Sequence, residues 1–137
     1  MSASSSDTAS SLRVLVADDD DDFRLLLIST LEQAGHRVVE IEDGFELGDY
    51  LELSSRSVSG RIVPDVIVTD VRMPGRSGLE VVREARRTGL TCPIIVLSAF
   101  FDDEVRNSAK QLDSTLLVPK PVDADRVADL VRSVAQR

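Results

Sequence analysis

Short apolar segments alternate with segments of helical periodicity along almost the whole sequence. The apolar segments, each too short for a helix but long enough for a strand, lie at 12–17, 38–41, 66–69, 94–97 and 116–118. Between and after them, apolar side chains recur at steps of three and four residues, which is the spacing of one helical face. This alternation predicts an α/β fold, in which a doubly wound, five-stranded parallel sheet is covered by helices on both faces.

The first two helices can be placed from their apolar side chains. The face of the first is predicted to consist of Phe23, Leu26, Leu27, Thr30, Leu31 and Ala34, with Gly35 ending the helix. Phe45, Gly48 and Leu51 predict a short second helix. Residues 54–61, SSRSVSGR, have the composition of a loop, so the connection that runs over 54–64 to the third strand is longer than usual.

The charge and the rare residues exclude several classes of protein. A net charge of −8 argues against direct binding to nucleic acid or to an anionic membrane, because both require a cationic surface. A single cysteine, Cys92, excludes an internal disulfide, and a single histidine, His36, excludes a His-rich metal site. No apolar run approaches the ~20 residues of a membrane span. Residues 1–11 read as a solvated tail without signal-peptide features, and we expect a cytoplasmic protein.

Polar side chains follow four of the five predicted strands. Asp18 and Asp19 come after the first strand, Asp70 after the third, Ser98 after the fourth and Lys120 after the fifth. Functional sites of open α/β sheets lie beyond the carboxyl ends of the strands, so we expect these five side chains to meet there.

Three clustered carboxylates repel one another unless a cation lies between them. Oxygen ligands that leave coordination positions open suit Mg²⁺, and Mn²⁺ is an alternative. A carboxylate beside Mg²⁺, with an ammonium group and a hydroxyl nearby, is equipped for phosphoryl transfer, since the cations neutralise the phosphoryl oxygens. The sequence therefore predicts a magnesium-dependent phosphoryl-transfer site.

The segments LRVLVADDD, PDVIVTDVRMPGRSG, PIIVLSA and VPKP resemble the receiver domain of two-component response regulators. The resemblance covers residues 12–136 and implies a flavodoxin-like (βα)5 fold with strand order 2-1-3-4-5. It implies that the domain accepts a phosphoryl group from a histidine kinase or histidine phosphotransfer protein and then switches its contacts with a downstream protein target. Such a domain is not an ordinary enzyme, although it assists its own phosphorylation and dephosphorylation.

The same resemblance implies a role for each matching residue. Asp70 would be the phosphoacceptor, and Asp18 and Asp19 the acid pair that binds the metal together with Asp70. The backbone carbonyl of Arg72 would be a further metal ligand. Ser98 would be the switch hydroxyl and Lys120 the lysine that contacts the phosphoryl group.

The sequence departs from the usual family pattern in ways that concern signalling. Leu117 stands where family members often carry an aromatic residue, so the usual aromatic movement coupled to Ser98 is not available there. Arg72 and Phe100 occupy the positions that flank the path of the hydrolytic water. Neither side chain readily orients a water molecule for attack, so we expect a long-lived phosphoaspartate.

Two alternative functions are weighed against this prediction. A phosphatase of the haloacid dehalogenase type would use a nucleophile after the first strand, Asp18 or Asp20, rather than Asp70. A receiver-like binding module that works without phosphorylation is disfavoured, because none of the five matching positions is missing.

Overall fold

A computed structural model describes residues 11–55, 63–99 and 102–136. Five parallel strands form one sheet in the order β2-β1-β3-β4-β5, which confirms the predicted flavodoxin-like topology. The strands are β1 Arg13–Ala17, β2 Arg37–Ile41, β3 Val66–Asp70, β4 Ile94–Ser98 and β5 Thr115–Pro119. The helices are α1 Asp21–Gln33, α2 Gly44–Ser55, α3 Gly78–Arg87, α4 Asp103–Lys110 and α5 Ala124–Ala135.

The core consists of two layers, one on each face of the sheet. Strand side chains such as Leu15 and Ile67 pack with α2, α3 and α4, whereas their neighbours Val16 and Val68 pack with α1 and α5. Both faces of the central strands are therefore buried, which explains why β1, β3 and β4 are apolar along most of their length. The edge strands β2 and β5 are only partly buried.

The buried face of α1 differs from the predicted one. Leu26 is 58% exposed and Ala34 is exposed, whereas Arg24 lies with Leu27 and Leu31 on the buried stripe. The prediction was right for Leu27 and Leu31 but wrong for Leu26 and Ala34, because the run of three leucines at 25–27 allows more than one helical face. Gly35 does end the helix, with a φ of +96° that favours glycine.

Helix α2 is longer than predicted, and its buried face is also different. Phe45 is 60% exposed, while Leu47 and Leu51 are buried. The helix runs through Ser55, so the first two residues of the predicted 54–61 loop are helical. Residues 56–62 lie outside the described residues.

The structure also describes the end of the predicted tail and the single cysteine. Of the predicted tail, only Ser11 is described, and its hydroxyl donates to the Gly35 carbonyl at 2.9 Å. Burial raises the pKa of the partly buried Cys92 thiol to about 11, so little of the reactive thiolate form is present at neutral pH. Among the described residues, no helix combines the length and apolar character that a membrane span requires.

Candidate functional site

The carboxyl edge of the sheet brings the five predicted side chains into one region. Asp18 and Asp19 follow the end of β1, Asp70 and Ser98 are the last residues of β3 and β4, and Lys120 follows β5 directly. Parallel pairing in register places these strand ends side by side. The positions agree with the sequence-based expectation, and the chemical role of each residue remains a prediction.

Three carboxylates form the acidic part of the site. One oxygen each from Asp18, Asp19 and Asp70 lies within 4.8 Å of the others. Asp18 is 1% exposed and Asp70 8% exposed, whereas Asp19 reaches solvent. Like charges this close disfavour the apo state and favour a bound cation.

Lys120 connects the two buried carboxylates. Its Nζ donates to Asp18 Oδ2 at 2.9 Å and to Asp70 Oδ2 at 3.0 Å. Burial alone would lower the pKa of Lys120, but the hydrogen bonds to the two carboxylates outweigh burial and raise it. The ammonium also lies 5.2 Å from the centre of the Phe23 ring, a cation–π distance. Lys120 therefore stays charged and neutralises one of three negative charges.

The Asp70 carboxyl has an unusual environment for a phosphoacceptor candidate. Burial raises its pKa, the hydrogen bond from Lys120 opposes that shift, and the charge of Asp18 adds to it. The net effect is a pKa above the ordinary value. The Arg72 backbone N–H donates to Asp70 Oδ1 at 3.3 Å, so both carboxylate oxygens are oriented by donors.

The loop after Asp70 depends on a glycine whose role the motif did not explain. A Cβ built on Gly78 would overlap the Asp70 carbonyl oxygen and would press on Thr69 Oγ1. The Gly78 N–H donates to the Val71 carbonyl at 2.9 Å. The last glycine of MPGRSG thus lets α3 begin directly against the end of β3.

The predicted switch hydroxyl of Ser98 and the residues predicted to modulate the site differ in how far they are buried. Ser98 is 2% exposed, and its carbonyl accepts from the Lys120 N–H at 2.8 Å. Leu117 is partly buried in β5 and packs against the core layer of α2, α3 and α4. The Arg72 side chain is exposed, and Phe100 lies outside the described residues.

One residue at the site, Arg24, was not predicted from the sequence. Arg24 is 4% exposed, and its guanidinium donates to the Asp18 backbone carbonyl at 2.8 Å. The available signal was its spacing, because position 24 lies three residues before Leu27 and seven before Leu31. A charged residue on a buried helical stripe indicates a buried polar partner.

The sequence model of the response regulator receiver domain family matches residues 14–132 of this chain. The chain belongs to this family. It is 33% identical over 118 residues to the DNA-binding transcriptional regulator NtrC of Escherichia coli, covering 86% of this chain and 24% of NtrC. It is 36% identical over 129 residues to the response regulator MprA of Mycobacterium bovis, covering 93% of this chain and 52% of MprA. The chain therefore matches only part of each of these relatives.

Solved structures show the same architecture. The receiver domain of Francisella response regulator 1452 superposes with a TM-score of 0.78 at 26% identity, covering 92% of this chain and 98% of that one. The chain is thus a receiver domain of the two-component type in both sequence and fold. Its all-oxygen acidic cluster, with more negative charge than Lys120 neutralises, also fits the divalent metal that receiver domains generally bind.

Proposed function

We propose that this receiver domain accepts a phosphoryl group on Asp70 in a reaction that requires Mg²⁺, for which Mn²⁺ can substitute. The observation that carries the proposal is the position of the Asp70 carboxylate between an acid pair and a half-buried lysine. Its oxygens lie within 4.8 Å of those of Asp18 and Asp19, and Lys120 Nζ is 3.0 Å from its Oδ2. This is the arrangement that a carboxylate nucleophile for a phosphoryl group requires.

The donor is a phosphohistidine of a histidine kinase or histidine phosphotransfer protein. An Asp70 carboxylate oxygen attacks phosphorus as the P–N bond breaks. The bonding electron pair stays on the leaving imidazole nitrogen, which takes up a proton from solvent. Lys120 moves its hydrogen bonds from the carboxylate to a phosphoryl oxygen, which neutralises charge as the group arrives. The result is an acyl phosphate on Asp70.

The metal site consists of the carboxylates of Asp18, Asp19 and Asp70 together with the Arg72 backbone carbonyl. When bound, Mg²⁺ neutralises the carboxylates and the transferring phosphoryl oxygens. The Lys120 ammonium opposes the repulsion between the buried carboxylates of Asp18 and Asp70. The protein thereby assists its own phosphorylation and dephosphorylation without being an ordinary enzyme.

The conformational change that follows phosphorylation begins at the carboxyl ends of β4 and β5. Ser98 donates its hydroxyl to the phosphoryl group and draws in the loop that follows β4. Because Leu117 replaces an aromatic side chain, the output is centred on this loop and α4. The cationic Arg72 holds phosphoryl oxygens, which slows hydrolysis. The same effect is predicted for Phe100, which lies outside the described residues.

The output is a change in contact with a downstream protein. A net charge of −8 opposes direct binding of this domain to nucleic acid or to a membrane surface, and the site of action is the cytoplasm.

Intact mass spectrometry after incubation with a small phosphodonor tests the proposal. We expect wild-type protein to gain one phosphoryl group in Mg²⁺ and none in EDTA. Asp70→Asn should gain none, whereas Asp22→Asn, a matched change at an exposed position of the acidic run, should behave as wild type. Uptake by Asp70→Asn at the wild-type rate would contradict the assignment.

A further inference from the structure

Arg24 is a buried cation beside the acid pair. Its side chain is 5% exposed, and it makes three charged or polar contacts. One terminal nitrogen donates to the Asp18 carbonyl at 2.8 Å, the other to Asp21 Oδ1 at 2.7 Å, and Nε to Glu40 Oε2 at 2.6 Å. The guanidinium therefore ties together the end of β1, the first turn of α1 and strand β2.

The contact with Asp18 is made to its backbone rather than to its carboxylate. The Asp18 carbonyl belongs to the peptide that joins Asp18 to Asp19, so a donor on that oxygen fixes the plane between the two side chains. From the other side, the Asp20 N–H donates to Asp18 Oδ1 at 2.9 Å. The acid pair is thus held by donors on both sides. Lys120 donates to the Asp18 carboxylate itself, whereas Arg24 donates to the peptide that joins the two acidic residues.

The partners of Arg24 also hold its guanidinium in one orientation. Hydrogen bonding to Glu40 is the main cause that raises the pKa of Arg24, and it outweighs the opposing effect of burial. A planar guanidinium with charged partners on two edges has little freedom to rotate. Its remaining edge is directed at the Asp18 carbonyl.

We propose that Arg24 is a positioning residue for the metal site, which orients the Asp18–Asp19 peptide so that both carboxylates converge with Asp70. This inference rests on the proposed function of the acid pair in binding Mg²⁺. Residues that orient metal ligands without touching the metal commonly change metal affinity by about 10–100-fold when they are replaced.

An effect of Arg24 through its charge and an effect through positioning of the acid pair predict opposite changes in Mg²⁺ affinity when Arg24 is replaced. If Arg24 acted only through its charge, Arg24→Gln would strengthen Mg²⁺ binding, since a nearby positive charge disappears. If it positions the acid pair, the same change weakens binding. The double variant Arg24→Gln/Glu40→Gln keeps the net charge of the wild type, so only the positioning effect remains in it.

Isothermal titration of the apo protein with Mg²⁺ separates these cases. We expect Arg24→Gln and the double variant to bind Mg²⁺ about tenfold more weakly than wild type. Arg37→Gln removes the same charge from an exposed position at the other end of β2, and its affinity should stay within twofold of wild type. Amide resonances of residues 18–20 in EDTA should shift in Arg24→Gln and not in Arg37→Gln.

Several outcomes would overturn the proposal. Wild-type or tighter Mg²⁺ binding by Arg24→Gln, or wild-type binding by the double variant, would show that Arg24 does not position the ligands. If Arg24→Gln does not fold, Arg24→Lys keeps the charge but loses the planar donor set, and wild-type affinity in that variant would refute the proposal. Failure of the wild type to bind Mg²⁺ would instead refute the metal site itself, and the inference with it.

Discussion

Replacement of Lys120 by methionine tests the electrostatics of the site most quantitatively. The lysine donates to Asp18 and Asp70 at 2.9 and 3.0 Å, and these carboxylates are 1% and 8% exposed. Methionine retains most of the apolar stem but leaves two buried carboxylates side by side without a cation. Removing one partner of a buried charged cluster typically destabilises a protein by about 3–5 kcal/mol. For a chain of this size, we expect a melting temperature about 10–15 °C lower in EDTA at neutral pH.

The lower melting temperature of Lys120→Met relative to wild type should depend on both metal and pH. Mg²⁺ supplies the missing positive charge, so the difference from wild type should shrink at saturating metal. Burial raises the pKa of Asp70 even with Lys120 present, and loss of that hydrogen bond raises it further. A carboxyl group whose pKa is higher in the folded than in the unfolded state destabilises the protein once the pH exceeds the pKa of the unfolded state. The deficit should therefore be largest at neutral pH and shrink on acidification.

Thermal melts in EDTA and in Mg²⁺, each at neutral and at mildly acidic pH, measure these effects. Lys110→Met, a change of the same type at an exposed position on α4, is the control and should melt near wild type. An equal deficit of Lys120→Met in every condition would show that the lysine acts through packing. No deficit in EDTA would show that the two carboxylates do not depend on its charge.

Three further predictions follow from the same structure. Asp19→Ala should strongly weaken Mg²⁺ binding in a calorimetric titration but should not lower the melting temperature in EDTA, because it relieves repulsion between carboxylates; a clear loss of melting temperature there would indicate a structural role. Nδ1 of the buried His36 accepts from the Leu12 N–H, and burial lowers the pKa of this histidine. Stability in urea should therefore fall as pH drops below 6.5, by at most about 1.4 kcal/mol per pH unit, and a His36→Gln variant that keeps the full pH dependence would refute this. The phosphorylated protein should decay slowly after removal of the donor and faster in Arg72→Asn/Phe100→Glu; an unchanged rate in this double variant would contradict the proposed shielding.

The strands were predictable because their apolar pattern is local in the sequence, and the position of the site was predictable because it follows from the parallel arrangement of those strands. Central strands such as β3 are buried on both faces, so they are apolar along most of their length and stand out from the helices. Parallel strands place their carboxyl ends at one edge, so Asp70 and Lys120 were expected to meet although they are 50 residues apart.

The helix faces were less predictable because adjacent apolar residues leave the rotation of a helix undetermined. In the run of leucines 25–27, only Leu27 is buried, and the tertiary packing of α1 on the sheet decides which residue faces inward. The same rotation buries Arg24, whose partner Glu40 lies on another strand and is not recognisable from the sequence of α1. Contacts of this kind depend on side-chain geometry that periodicity does not specify.

Identification of the phosphorylated residue tests the central claim most directly. After incubation with Mg²⁺ and a small phosphodonor, reduction with borohydride converts an aspartyl phosphate into homoserine, which tandem mass spectrometry locates in the sequence. We predict homoserine at position 70 alone, and none when EDTA replaces Mg²⁺. Homoserine at position 18 or 20 would indicate a nucleophile after β1, as in the phosphatase alternative, and would contradict the assignment of Asp70.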